Sequence, residues 1–583
     1  MKSPQKRSFT RRNFISTSVA GTAGISLLPM ATCWSDSVSA SNISVEALSS
    51  IVKRKFGNFD FEVTTLGLGG QAAIQLTPSD VDPTAIIIKA VKLGINYFDT
   101  SNTYGSSQLH YNKAFKVLNL IPGTANYDGT LRKSIWLTSK TKMKWGNPGY
   151  PERPNVTNTP GAPNVKCAID DLKRSLSQMF GDNKGTYPEG AYLDMMLMHS
   201  INTIETNDVL YEGLETPLVS NGNFGALVAL RDFRDGTNFT GMNQKNEKLV
   251  RHIGFSGHSS PPVMVDLIQR DEYGILEAVL VAINSNDKTK YNMQHNVIPV
   301  ASAKGMGIIA MKVFADAALY HKAPKWSGSP ADLFLQVGTA ELPSRPLIEY
   351  TLTTPGVHTA IIGIGHIDED PQKCQLIQNL NAAQIDSDGI TEIERKKIED
   401  LTKAQKPNSN YFQISKVGLT KPRNIRVVDD RLLWDNAFAG DSPVTNYEIM
   451  VNGKKVGEIP HQPQILKSKP FTFNISVISG DKIEVLAVDK SGMKAIGLLL
   501  ISSISASSDN NKVQLFPNPV HTELTVSNIE SVNSWVSIYT VAGKKLIEKK
   551  AIGTQAKFDV SNLPKGTYFV KFIDGSSAKF IKK

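Results

Sequence analysis

The sequence predicts an α/β protein: a (β/α)8 TIM barrel followed by two small all-β sandwich domains. Three observations predict it. Eight short apolar runs, near residues 63–68, 95–98, 135–139, 193–198, 251–256, 278–283, 308–312 and 359–363, alternate with helical patterns. Strand–helix alternation implies parallel strands, and eight such units close into a barrel. Beyond about residue 405 the helical periodicity stops and β-rich runs continue to the end of the 583-residue chain, which is too long for one ordinary domain.

Taken in order, residues 1–40 read as an export address. Lys2, Lys6, Arg7, Arg11 and Arg12 give a basic start, an apolar stretch runs from about Phe14 to Ala31, and Val38-Ser39-Ala40 offers small residues for cleavage. Thr10-Arg11-Arg12-Asn13-Phe14-Ile15 resembles the twin-arginine signal, whose pathway carries folded proteins. An ordinary signal peptide with a chance Arg pair is the alternative. Met30-Ala31-Thr32 is a poor lipoprotein box for Cys33, and no later segment is long and apolar enough to span a membrane.

The barrel occupies residues 60–405. Its helical stretches include Pro83 to Leu93, stopping at Gly94, and Val165 to Met179. Two insertions interrupt the alternation. Residues 142–165 are rich in Pro and Gly, and about 203–246 is polar and irregular. Both follow strands, so both should overhang the rim where catalysis occurs.

Residues 418–505 carry Leu432-Leu433-Trp434, Tyr447-Glu448-Ile449-Met450-Val451 and the hairpin turn Asn452-Gly453. Length, Trp and Tyr strand loosely resemble a fibronectin type III or related immunoglobulin-like sandwich. Residues 512–583 hold Phe516-Pro517-Asn518-Pro519, then Ile538-Tyr539-Thr540-Val541-Ala542-Gly543-Lys544, then Asp559-Val560-Ser561-Asn562-Leu563-Pro564-Lys565-Gly566-Thr567-Tyr568. In that order and spacing they closely resemble the C-terminal sorting domain of the type IX secretion system. The resemblance implies a transport signal, open to cleavage at the cell surface. The two termini together point to export machinery as partners and to a secreted or cell-surface location reached through the periplasm. A small β-sandwich without a sorting role is the alternative.

The net charge of +10 is mild for this length, and Lys and Arg are spread without a basic block, which argues against nucleic acid as a partner. Cys33, Cys167 and Cys374 lack CxxC or metal-ligand spacing, so neither a disulfide framework nor a zinc site is indicated.

Four residues carry the chemistry. Asp99 ends the run Ile95-Asn96-Tyr97-Phe98, Tyr104 follows in the loop, Lys140 ends Ile135-Trp136-Leu137-Thr138-Ser139, and His199 ends Leu193 to Met198. Parallel strands would bring all four to one rim. Carbonyl reduction needs a hydride and a proton. A free tyrosine holds its proton with a pKa near 10, and a nearby ammonium such as Lys140 would stabilise the phenolate. Asp99 would hold Lys140 charged, Tyr104 would serve as general acid in reduction and general base in oxidation, and a neutral His199 would orient the substrate oxygen. No metal is required. Singly, each residue has a bland reading: a loop cap, a solvated lysine, a packed tyrosine, a satisfied loop histidine. Their joint placement at successive strand ends gives them meaning.

Phe98-Asp99-Thr100-Ser101-Asn102-Thr103-Tyr104-Gly105, Leu137-Thr138-Ser139-Lys140 and Asp194 to His199 resemble, in order, the motifs of the aldo/keto reductase family. Arg251-His252-Ile253-Gly254-Phe255-Ser256-Gly257 is similar to that family's fifth-strand pattern. The resemblance implies an oxidoreductase for a small-molecule carbonyl or alcohol, using NADPH or NADH without a Rossmann domain. It places Ser256 at the nicotinamide carboxamide, but Gly257 stands where the family often has Asn, and Leu280 falls near its usual Gln. Asn284 fits the following Asn. Lys312, ending Ile309-Ala310-Met311, would lie near the pyrophosphate, or be a plain strand-end lysine. Gly363 and Gly365 would let backbone approach phosphate closely. Gln378-Asn379 resembles the family's Glu-Asn near the adenine, which gives Asn379 that role. No basic residue for a 2′-phosphate is evident, and Asp368, Glu369 and Asp370 would repel one, which leans towards NAD over NADP.

Gly67-Leu68-Gly69-Gly70-Gln71-Ala72 also fits GxGxxA, as in a dinucleotide-binding Rossmann turn. Thr77-Pro78-Ser79-Asp80 breaks the helix that fold needs, and no acidic residue ends a second strand about twenty positions on. A first-strand turn of the barrel explains the motif better. A non-catalytic secreted binding protein on a degenerate reductase barrel is the alternative function, allowed by Gly257 and Leu280.

Overall fold

The computed structural model describes residues 51–215, 222–428, 430–501, 513–527, 529, 534–541, 543–572 and 577–583. The export segment at residues 1–40 lies outside them. Eight parallel strands close a barrel: β1 Leu66–Gly69, β2 Tyr97–Asp99, β3 Trp136–Thr141, β4 Leu193–Met198, β5 Val250–Gly257, β6 Ala278–Ala282, β7 Gly307–Met311 and β8 Thr359–Gly363, with β8 pairing back onto β1. These strands are buried almost throughout, as parallel strands covered by helices must be. The pairings Asp99 with Thr138 and Lys140 with Leu197 bring the ends of β2, β3 and β4 to one rim.

The first apolar run divides. Glu62–Thr64 pairs antiparallel with Lys53–Lys55 in a separate hairpin, and the barrel strand starts only at Leu66. The hairpin loop sends Phe56 and Phe59 against Trp136 of β3, with ring centroids 5.2 and 4.9 Å apart, so aromatic rings seal the end of the barrel opposite the catalytic rim.

The helix after β1 spans Pro83–Lys92: Asp82 accepts a hydrogen bond from the Thr84 amide, and Gly94 reverses the chain at φ 83°. The helix expected from Val165 spans Ala168–Phe180 instead, because its cap forms where Asp170 accepts from the Lys166 and Cys167 amides. Residues 203–246 are not irregular throughout. Helices Ile204–Leu210 and Ala226–Asp235 lie within them, and the second buries Leu227, Leu230 and Phe233 before ending at Gly236 with φ 72°. One buried ion pair steadies the strand that delivers His199. Arg132 lies 2.8 Å from Asp194 of β4, and Asp194 also accepts the Leu137 amide of β3.

After the barrel, a three-stranded and a four-stranded antiparallel sheet share a core around Trp434, Tyr447, Ile449 and Val485. Asn452 and Gly453 turn their hairpin with φ 51° and 81°, the left-handed pair that a tight hairpin requires. These sheets are docked on the barrel: Gln269 donates to the Gln464 carbonyl at 2.8 Å, and the Ala439 amide donates to Asn296 at 2.8 Å. A second pair of small antiparallel sheets, from Gln514–Phe516 to Ser577–Lys582, packs around Val536, Ile538, Phe558 and Phe580. Among the described residues no helix is long and apolar enough to cross a membrane.

Candidate active site

Asp99 is the last residue of β2, and Gly70 lies against it. A Cβ on Gly70 would stand 2.2 Å from the Asp99 carbonyl oxygen, so only glycine lets the loop after β1 cross there. Lys140 extends from β3 with its Nζ 2.5 Å from Asp99 Oδ1, 2.9 Å from the Thr100 carbonyl and 3.4 Å from the Tyr104 hydroxyl. The same ammonium lies 4.7 Å from the centre of the Tyr104 ring. His199 meets that ring edge-on at 5.7 Å. Its amide donates to the Thr141 carbonyl, its Nδ1 lies 3.2 Å from Ser101 Oγ, and its carbonyl accepts from Lys144 Nζ at 2.7 Å. The four residues read from the sequence therefore converge, and all are buried.

Burial controls the electrostatics. It raises the Asp99 carboxyl and lowers the Lys140 ammonium, and their contact works against both shifts. His199 is pushed well below its ordinary value by burial and then by the Lys140 charge, so its ring is neutral at physiological pH. Tyr104 is raised well above 10 by burial and then by the negative charges of Asp99 and Asp316. This corrects the expectation that Lys140 lowers the phenol's pKa. Burial is the largest cause, so the net shift of the resting phenol is upward despite the neighbouring ammonium.

One cleft is lined by Asp99, Tyr104 and Leu280 together with Lys312, Gly363 and Asn379. Ser256, Asn284 and Gly365 do not line it. Ser256 Oγ accepts the Ser200 amide and so holds the turn after His199. Asn284 links its own loop to the Lys312 carbonyl and the Asn286 amide. The Gly365 amide is bonded to Gln375 Oε1 at 2.8 Å. Gln378 turns outward to the Pro371 carbonyl, which leaves Asn379 alone at the cleft. Asp368 lies 3.5 Å from His366.

The sequence reading missed Asp316. It pairs with Lys312 at 3.4 Å and Lys322 at 2.9 Å, and accepts from the Tyr411 hydroxyl at 3.2 Å. Residues 411–414, just before the first sandwich, cross the rim here. Phe412 and Trp326 pack against His258, and Gln413 donates to the Ala282 carbonyl. The contacts of Tyr411 and Gln413 have no local pattern, because they join segments 95 and 131 residues apart. Gly257 has a local cause. A Cβ there would meet Met264 Sδ at 2.4 Å, so the side chain the family often carries would have to displace the Met264 thioether. Gly257→Asn is expected to destabilise the protein by about 1–3 kcal/mol by overpacking, without tightening nucleotide binding. Chemical denaturation and nucleotide titration check both parts.

Fold and site define the class: a closed parallel barrel with an acid, a cation, a phenol and an imidazole gathered at its C-terminal rim. Residues 65–327 match the model of the aldo/keto reductase family, and residues 514–583 match a secretion system C-terminal sorting domain. The barrel is thus similar to an oxidoreductase family over residues 65–327, and the sorting-domain match points to a secreted or cell-surface protein. L-galactose dehydrogenase of Arabidopsis thaliana is 21% identical over 371 residues, covering 60% of this chain and 94% of that protein. Two solved structures are similar in sequence at a lower level. An aldo/keto reductase from Klebsiella pneumoniae, in complex with NADP and acetate, is 15% identical, with 58% of this chain and 92% of that one covered and a TM-score of 0.36. The glycerol dehydrogenase of Gluconobacter oxydans is 16% identical, with 61% and 96% covered and a TM-score of 0.37.

Proposed function

We propose that this chain is an exported NAD(P)-dependent oxidoreductase that interconverts a carbonyl and an alcohol. The observation that carries the reading is the buried contact of Lys140 with both Asp99 and the Tyr104 hydroxyl, beside His199. The cleft carries groups suited to a dinucleotide: Leu280 and Met311 give it apolar surface, Lys312 supplies a cation and Asn379 an amide. A bound nicotinamide would supply the hydride in reduction and accept it in oxidation.

The chain's own residues supply the rest. A neutral His199 can hydrogen-bond the substrate oxygen and turn it towards Tyr104. Tyr104 holds its proton strongly at rest, so it delivers that proton only as negative charge develops on the oxygen. Lys140 then faces the new phenolate, and Asp99 keeps the ammonium in place. In oxidation the same atoms run in reverse.

Free nicotinamide nucleotides are scarce outside the cytoplasm. Export in a folded state with nucleotide bound would solve the supply problem and would require the cofactor to be recycled in place, with one substrate oxidised and another reduced, sugars among them. The test is to isolate the mature protein from its native compartment and record its absorbance and fluorescence for bound nucleotide. Co-purifying NAD(P) is the expected result. Protein without nucleotide that exchanges added nucleotide quickly and weakly would defeat the tight-holding model. The second reading, a binding protein on this barrel, draws on Gly257 and Leu280 in place of carboxamide-gripping side chains.

A further inference from the structure

We propose that Ser101 is a positioning residue that fixes His199 as the tautomer protonated on Nε2, the nitrogen then able to donate to the substrate oxygen; this rests on the reductase reading above. A neutral imidazole has one N–H donor and one acceptor nitrogen, and the partner of one nitrogen decides the character of the other. The His199 ring has one hydrogen-bonding partner among the described residues: its Nδ1 lies 3.2 Å from Ser101 Oγ. Its Nε2 meets no donor or acceptor among them. The backbone of His199 is pinned separately. Its amide donates to the Thr141 carbonyl at 2.8 Å, and its carbonyl accepts from Lys144 Nζ at 2.7 Å. Ser101 therefore acts on the ring and not on the strand end that carries it.

The direction of the bond follows from the other neighbours of the hydroxyl, which has one proton to give and two lone pairs. The Thr103 amide donates to Ser101 Oγ at 3.3 Å and fills one lone pair. The Thr103 hydroxyl lies 3.2 Å away, has no other partner among the described residues, and can fill the second. Two acceptors remain within reach of the Ser101 proton. The Lys140 carbonyl, at 3.4 Å, already takes the Asn102 amide at 3.2 Å. His199 Nδ1 is nearer and has nothing else. Ser101 and His199 are both buried, so an unpaired Nδ1 would be costly to keep. Ser101 thus donates to Nδ1, and the imidazole proton sits on Nε2. The reverse arrangement, with Nδ1–H donating to Ser101, would leave a bare lone pair on Nε2, and that lone pair would repel a carbonyl oxygen. With the proton on Nε2, His199 donates to the same oxygen that Tyr104 protonates, its ring already standing edge-on to the phenol.

The experiment uses the full chain labelled with 15N in its 10 histidines, and long-range 1H–15N correlation spectra read the tautomer of each ring. His199→Gln assigns the signal by difference. The native ring is expected to show an acceptor-type Nδ1 and a protonated Nε2. In Ser101→Ala the two nitrogens should move towards a mixture of both tautomers, and in Ser101→Thr, which keeps the hydroxyl, the native pattern should return. Carbonyl reduction gives the second readout. Ser101→Ala should lower kcat/KM by about tenfold, the size of one hydrogen bond, with nucleotide affinity unchanged, and Ser101→Thr should restore it. If Ser101→Ala does not fold, Ser101→Cys replaces it as a weaker donor of similar size, and the native spectrum still decides the direction of the bond. A native His199 protonated on Nδ1 overturns the proposal, as does an Nε2–H pattern that stays unmixed when the hydroxyl is removed. The expected spectra in a protein that reduces no carbonyl would support the tautomer assignment and remove the reductase reading alone.

Discussion

Tyr104→Phe is expected to lower carbonyl reduction by about 10²- to 10⁴-fold, the range for losing a positioned general acid, while nucleotide binding persists. The change removes one oxygen. Lys140 keeps its bonds to Asp99 and the Thr100 carbonyl, and the ring keeps its edge-on contact with His199, so the site should not reorganise. The pH dependence follows from direction. The phenol's pKa is raised well above 10, so its protonated form persists through the neutral and mildly alkaline range, and native reduction should not fall there for want of a proton. His199 is already neutral, so it should add no inflection between pH 6 and 8 on the order of its ordinary titration. Stopped-flow or steady-state assays of native and variant protein, with nucleotide titration alongside, decide the matter. A variant that keeps native turnover would show that Tyr104 is not the proton donor. A native protein with no turnover to lose would favour the binding-protein reading.

How much of this was legible in the sequence differs by residue. Asp99, Lys140 and His199 could be read because each ends a run of apolar residues, and strand ends in a parallel barrel share a rim whatever the loops do. Thr64 and Thr65 misled because the chain bends at Thr65 and changes partners there, and pairing is not a local property. The helix Ala226–Asp235 was hidden by its polar surroundings, although Leu227, Leu230 and Phe233 carry the helical spacing. Asp316 was overlooked although Lys312 and Lys322 lie close to it in the sequence; it sits in a run of residues with φ 49°, 57° and 68°, and only Tyr411 meets it through the tertiary fold.

Lys140→Met should be the more damaging change, because it acts on stability and catalysis together. Lys140 and Asp99 are both about 99% removed from solvent, and Asp99 Oδ2 has no hydrogen-bond partner, so the ammonium is the principal compensation for this carboxylate. Removing one member of such a pair strands a buried charge and costs about 3–5 kcal/mol. The carboxyl meets that cost partly by taking up a proton, the direction in which burial already drives it. Destabilisation of the single variant should therefore be greater at pH 8 than at pH 5: a raised carboxyl pKa gives stability that is present at low pH and lost as pH rises through it. Pairing the change with Asp99→Asn removes the stranded charge, and the double variant should recover much of the stability in urea or guanidinium unfolding. Turnover should not recover, because neither replacement can face the Tyr104 phenolate with a positive charge. If stability and turnover returned together, Lys140 would be a structural partner of Asp99 and nothing more. If stability stayed low in the double variant, the loss would come from packing of the four-carbon stem between β2 and β3, not from the unpaired carboxylate.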